Sequence, residues 1–158
     1  MFNTVLTLIS ALCTAITVIG AFKAVKYYKK SRLLTAFASQ NAAYSESLTI
    51  ISAISEILQA EKRITDRGTN RSKSLSEIGL RIRSSLNIIR TNCSSDVESD
   101  IVSLIDSKSI MGYINILIVD PPMWNGKPDS RFEGFQKKIY ELHDLIKKKR
   151  NDSADLLA

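Results

Sequence analysis

Two groups of residues in this chain carry side chains able to recognise a ligand. Arg67, Arg71 and Lys73 lie in a polar stretch, residues 66–73, that has loop composition with Gly68 and Asn70 as breakers, and Arg81 follows on the next helix. Trp124, Asn125 and Lys127 lie in a second loop, residues 120–129, which holds all three prolines and the only tryptophan, and Arg131 follows it. Guanidinium and ammonium groups meet phosphate oxygens, a carboxamide hydrogen-bonds a base edge, and an indole offers a stacking plane. Together these are the side chains that a nucleotide ligand needs. A plainer reading stays open beside this one: a loop tryptophan can close over the core while prolines end the preceding helix. The arginines can also be solvated helix faces that meet acidic residues elsewhere in the fold.

Bond-breaking chemistry finds less material. His143 is the only histidine and no Cys-x-x-Cys occurs, so one subunit can assemble neither a zinc site nor a histidine-activated nucleophile. There is no glycine-rich phosphate loop and no nucleophile elbow. Helical membrane-associated ribonucleases place an arginine a few residues before a histidine, whereas here Arg131 is twelve positions before His143. We expect no catalytic residues, no metal and no cofactor.

The elements that must hold these groups begin with an apolar one. Residues 1–22 contain no charged side chain, and Lys23, Lys26, Lys29, Lys30 and Arg32 follow at once. Roughly 20 apolar residues at about 1.5 Å each cross a hydrocarbon core of about 30 Å, and residues 4–22 have nearly that length. Basic residues stay on the cytoplasmic side, so Met1 should face outward and residues 31–158 should lie in the cytoplasm of a cell whose inner membrane holds the span. A cleaved secretory signal would carry its basic residues before the apolar core. A buried helix of a soluble domain would not be apolar on every side or need an abrupt lysine flank. Cys13, in the span, and Cys93, beyond it, cannot pair within one chain.

Within the span Thr7, Ser10, Thr14, Thr17, Ala21 and Ala24 recur at spacings of 3,4,3,4,3. That places all six on one helix face. Small and hydroxyl-bearing residues at this spacing let helices approach closely and bond across the contact, which points to an oligomer formed through the membrane. Alternatively, the hydroxyls bond back to carbonyls of their own helix.

Residues 1–32 hold five basic and no acidic side chains, leaving seventeen basic against sixteen acidic in 33–158. The soluble part is therefore close to neutral, which argues against duplex nucleic acid as a partner, since that rests on a broad basic excess. Charge is nevertheless segregated: residues 62–90 carry eight basic and two acidic side chains, and Asp96, Glu98, Asp100 and Asp106 follow.

The organisation expected is all-α. A membrane helix with its basic flank occupies residues 1–32, a cytosolic helical domain residues 33–150, and a frayed tail residues 151–158. Leu34, Phe37, Tyr44, Leu48, Ile51, Ile54 and Leu58 mark a second helix, or a cytoplasmic continuation of the first, ending near Arg63. Ser74-x-x-Glu77 reads as a capping box opening a helix with Leu75, Ile78, Ile82, Leu86 and Ile89 on one face. Ser95-x-x-Glu98 repeats the signal before Ile101, Leu104 and Ile105. Residues 113–119 are β-branched enough for a strand but have no second strand to pair with, so Ile110, Met111, Ile114, Leu117 and Ile118 are read as a helical face. Ser130-x-x-Glu133 opens the last helix, with Phe132, Phe135, Ile139, Leu142 and Ile146 at seam spacing and a basic run, residues 147–150, at its end.

In layout, with a small-residue-striped span, a helical cytosolic domain, segregated arginines and an aromatic loop, the chain resembles the small membrane effectors of type III CRISPR defence. In that family a membrane span is joined to a cytosolic domain that binds cyclic oligoadenylate, and binding leads to membrane disruption. The resemblance implies a homo-oligomer, with a tetramer matching the four-fold symmetry of cyclic tetra-adenylate. Independently of that resemblance, a four-fold ring could meet each phosphate with an Arg or Lys set and each base with an aromatic or amide, and the candidates to converge at the symmetry axis are Arg67, Arg71, Lys73, Arg81, Trp124, Asn125, Lys127 and Arg131. A different class fits the same residues: a non-sensing membrane anchor or scaffold that recruits a partner protein of a defence or secretion assembly, with the arginines and Trp124 at the interface.

Overall fold

The computed structural model describes residues 2–62, 69–93, 99–121 and 130–157, with side chains described for residues 10, 13–59, 73–93, 99–121 and 130–157. All regular structure among them is helical: α1 (Phe2–Lys62), α2 (Thr69–Asn92), α3 (Ser99–Ile105), α4 (Lys108–Val119) and α5 (Ser130–Asp155).

At about 1.5 Å per residue, α1 is about 90 Å long. No break separates its apolar start from the half that packs in the domain, so the boundary expected at residues 32–33 falls inside one helix. Thr35 and Ala36, both exposed, continue the helix across the place where a linker would sit.

The C-terminal half of α1 packs against α2 and α5, and α4 closes the far side by packing on α2 and α5 in turn. α1 and α5 run antiparallel. Tyr44 and Ser47 of α1 meet Arg150 and His143 of α5, while Ser76 Oγ of α2 donates to the Ile118 carbonyl near the end of α4 at 3.0 Å. The close approach of α2 and α4 depends on Gly79, where an added Cβ would lie 3.0 Å from Ile118 Cγ1 and 3.1 Å from Leu117 Cβ.

Large apolar residues at helical spacing supply the core on three helices as expected. Leu75, Ile78, Ile82, Leu86 and Ile89 of α2 are buried, as are Ile110, Ile114 and Leu117 of α4 and Phe132, Phe135, Ile139, Leu142 and Ile146 of α5. Tyr113 joins them and ties α4 to α5, its ring stacked 5.0 Å from Phe135 and tilted 5.7 Å from Phe132. Residues 113–119 are thus helix, which satisfies their backbone groups locally where a strand would have needed a partner.

Three expectations are refined. Of the apolar set on α1, Ile54 is buried and Tyr44, Ile51 and Leu58 pack against the core, but Leu34 and Leu48 are 49% and 45% exposed, and the seam is completed by Ala43, Ser47, Ile50, Ala53 and Ile57. The contact seam is rotated from the largest side chains because small residues let neighbouring helices come close. Second, α2 begins at Thr69, before the Ser74-x-x-Glu77 signal, so Arg71 and Lys73 stand on a helix and Asn70 is no breaker. Helix ends are weakly fixed by local signals when further polar residues tolerate the helical conformation. Third, α5 runs on to Asp155, past the expected tail boundary at 151, and Ser153, Ala154 and Leu157 are half-buried. The capping signal at residues 95–98 lies outside the described residues.

Among the described residues, no single helix is long and apolar enough to cross a membrane. Much of the run 4–22 lies outside the described side chains. α3 and α4, bent by 40° to one another, meet that length and apolarity together, but their apolar side chains Ile101, Ile105, Ile110, Ile114 and Leu117 belong to the core.

Candidate functional site

Helix α1 presents two unlike surfaces. From Ala43 onward one face is core, while nearer the N-terminus large apolar side chains stand exposed: Ile16 at 67%, Val18 at 48%, Ile19 at 56%, Phe22 at 75% and Val25 at 54%. Nothing described in this chain covers them, and such a run marks a surface for lipid or a partner. Tyr27 and Tyr28 follow, at 71% and 67% exposed, among Lys23, Lys26, Lys29 and Lys30. Amphipathic rings mixed with lysines are what the headgroup zone selects. The two tyrosines were as legible in the sequence as the lysines beside them.

The six-residue stripe of the apolar segment does not stop at its end. The spacing of 3 and 4 carries on from Ala24 through Tyr28, Ser31, Thr35, Ala38, Ala42, Ser45, Thr49 and Ser52, all exposed. Along residues 38–52 this face points away from the buried face of Ala43, Ser47, Ile50, Ala53 and Ile54. A repeat of 3.5 drifts by about 20° per heptad on a straight helix and is kept in register by a left-handed supercoil. The extension was hidden because each residue type in it is unremarkable on a soluble helix. It becomes visible only once α1 is continuous. Within the stripe Thr14 Oγ1 donates to the Ser10 carbonyl at 2.9 Å, Thr17 Oγ1 to Cys13 at 2.8 Å and Thr35 Oγ1 to Ser31 at 3.0 Å. Their hydrogens are therefore spent inside the helix, leaving oxygen lone pairs and small volume as what the stripe offers a neighbour. Side chains are described for Ser10, Thr14, Thr17, Ala21 and Ala24, all exposed, but not for Thr7.

Of the eight proposed ligand residues, side chains are described for Lys73, Arg81 and Arg131. Arg67, Trp124, Asn125 and Lys127 lie outside the described residues, and the side chain of Arg71 is not described. Lys73 is exposed near the start of α2. Arg81 forms an ion pair with Glu56 of α1, the two side chains 47% and 44% exposed. This commits it to the α1–α2 contact, at the small net worth of a solvated pair. Arg90 likewise reaches Asp106 at 3.1 Å, joining the basic stretch to the acidic one as the plainer reading of the charge pattern required. Of those three, Arg131 lines a cleft of about 360 Å³ between α4 and α5. Lys108, Ser109, Gly112 and Gly134 line it too. None was singled out in the sequence, although two glycines inside helical patterns were the available signal.

His143 sits at the α1–α5 seam. Ser47 Oγ, on a residue only 1% exposed, donates to the Tyr44 carbonyl at 2.7 Å and lies 2.9 Å from His143 Nδ1. With the hydroxyl hydrogen engaged, Nδ1–H is the donor to Oγ. The Tyr44 ring lies 5.2 Å from the imidazole on one side and carries the Arg150 guanidinium 4.1 Å from its centroid, a cation–π contact. A hydroxyl so buried and so bonded is a helix-seam group and not a nucleophile. Burial lowers the His143 pKa, helped by Lys147 and Arg150 and opposed by Asp144.

No family model matches this chain, and no curated protein or solved structure matches it either.

Proposed function

We propose that this protein is a self-associating effector of the bacterial inner membrane, crossing it once by the N-terminal part of α1, with that end outside and the helical bundle in the cytoplasm. In this reading the bundle senses a cyclic oligonucleotide, cyclic tetra-adenylate first, and the spans then permeabilise the bilayer. The observation that carries the reading is the continuity of α1 from Phe2 to Lys62. An anchor needs only a flexible tether, whereas an unbroken helix carries rotation or displacement of the bundle into the span without loss. The stalk between the apolar segment and the packed half, residues 23–42, is about 30 Å of helix, with Tyr27 and Tyr28 placed to sit at the membrane surface.

Self-association is supported by the stripe of exposed residues that runs from Ser10 to Ser52 and along residues 38–52 faces away from the core. Several copies brought together along it would place the threonines of each span on one shared axis, and a single helix cannot enclose a water path. Recognition of an anion by a nearly neutral domain is reconciled with its composition if the basic groups of several copies converge.

Full-length protein reconstituted in liposomes loaded with a self-quenched dye tests this. Cyclic tetra-adenylate at about 100 times its dissociation constant should stabilise the protein by about 2.7 kcal/mol and release the dye. Neither stabilisation nor release would reject the sensor and leave a scaffold that recruits a partner protein through the same arginines.

A further inference from the structure

The cleft between α4 and α5 is bordered by two helix glycines. Gly112, in the interior of α4, and Gly134, in the second turn of α5, both line it, and a Cβ built on either would meet nothing within 4 Å. Neither glycine is required by packing, in contrast with Gly79. An interior helix glycine costs stability relative to alanine, so two of them bordering the same open space leave room for something that enters it.

The walls define what that is. Tyr113 and Ile116 give an apolar back, Lys108 and Arg131 bring positive charge, and Ser109 and Ser130 bring hydroxyls, with no carboxylate among the described lining residues. Lys108 makes no ion pair among the described residues. It is also the first residue of α4, whose N-cap Ser107 makes no side-chain capping bond, so the N–H groups of Lys108 and Ser109 add to the positive field, while those of Ile110 and Met111 donate to the Ser107 carbonyl. A volume of about 360 Å³ lies near the small end of ligand pockets, which run from about 300 to 1,000 Å³. It is too small to enclose a cyclic tetranucleotide and large enough for one of its units.

We infer that the α4–α5 cleft holds one phosphate-bearing nucleotide unit per protomer, the phosphate between Lys108 and Arg131 and the organic part over Gly112 and Gly134. The inference rests on the sensor reading and adds a consequence: a cyclic ligand is shared, one unit to each copy, so binding and self-association are the same event. It also moves the recognition site from the loops to a helix–helix groove.

The test is photolabelling of the full chain in detergent with 8-azidoadenosine 5′-monophosphate, mapped by mass spectrometry. Label should fall on residues 108–116 or 130–134, be competed by adenosine 5′-monophosphate but not by adenosine, and fall at least tenfold in Gly112→Leu, which fills the space, and in Lys108→Glu. Circular dichroism melting of each variant checks that the bundle is intact, and Gly112→Ala, which adds only a methyl to open space, should retain most of the label. Label elsewhere, equal competition by adenosine, or full labelling of a folded Gly112→Leu would overturn the inference. Cyclic tetra-adenylate that stabilises parent and Gly112→Leu equally would overturn the cleft while leaving the sensor standing. Label confined to the cleft with no effect of cyclic tetra-adenylate would uphold the phosphate site and reject the sensor.

Discussion

Ser47, Tyr44, His143 and Arg150 show how single groups fix the register of α1 on α5. Ser47 is one of few buried polar side chains, and both its hydrogen and a lone pair are used, so the seam accepts it without the penalty of an unmet hydroxyl. The imidazole beside it gives the seam a pH dependence. Burial first, with Lys147 and Arg150 adding to it and Asp144 opposing, holds the folded-state pKa below the ordinary 6.5. The unfolded chain therefore takes up the proton first as pH falls. The contribution is fully present above about 6.5 and is lost as pH drops through the lower folded value. Thermal melts of the detergent-solubilised protein should show a midpoint that declines with acidification below pH 6.5, and His143→Phe, which keeps a ring against Tyr44, should flatten that part of the profile. An identical decline in the variant would assign it to the carboxylates. The seam partners were not legible in advance. Phe132, Phe135, Ile139, Leu142 and Ile146 announce a buried face by size and spacing, but Ala43, Ser47 and Ala53 carry almost no hydrophobic signal, and only the approach of α5 makes them core.

Elements meet here at the distances that their smallest residues allow. Gly79 and Gly134 look alike in the sequence, each a glycine within a helical pattern, yet one faces Leu117 and Ile118 in contact and the other faces open space. Gly79→Val should destabilise the bundle by about 2 kcal/mol, in the range for forcing methyl groups into a filled contact. Gly134→Ala should stabilise it by about 0.5–1 kcal/mol through helix propensity alone. Chemical denaturation of the two variants decides between them, and a destabilised Gly134→Ala would mean that the cleft closes more tightly than this geometry. Local reading located α2, α4 and α5 because each has a long apolar stripe, and it misplaced the start of α2 and the end of α5 because polar residues such as Thr69, Asn70 and Asn151 are tolerated in a helix that tertiary contact is already holding. The cleft was not legible, because it arises from α4 and α5 lying side by side, a relation no single segment encodes.

At the scale of the whole molecule the question is whether the apolar start of α1 anchors the bundle or acts under its control. The length of the helix was not legible, since nothing local to residues 23–42 forbids a turn except the absence of proline and glycine there. Thr14 and Thr17 separate the two roles. Their hydroxyl hydrogens are bonded to Ser10 and Cys13 within the helix, so replacing both with leucine removes no support from the backbone and adds apolar surface that favours insertion. What it removes is the small, oxygen-lined face by which spans could pack closely and solvate water or ions without buried charge. In cells supplied with the activating nucleotide, the Thr14→Leu, Thr17→Leu protein should reach the inner membrane at the parent's level, bind the nucleotide unchanged and fail to depolarise the cell, as read with a potential-sensitive dye. Depolarisation equal to the parent's would show that the stripe is not the working face and that the span serves only to hold the bundle at the membrane.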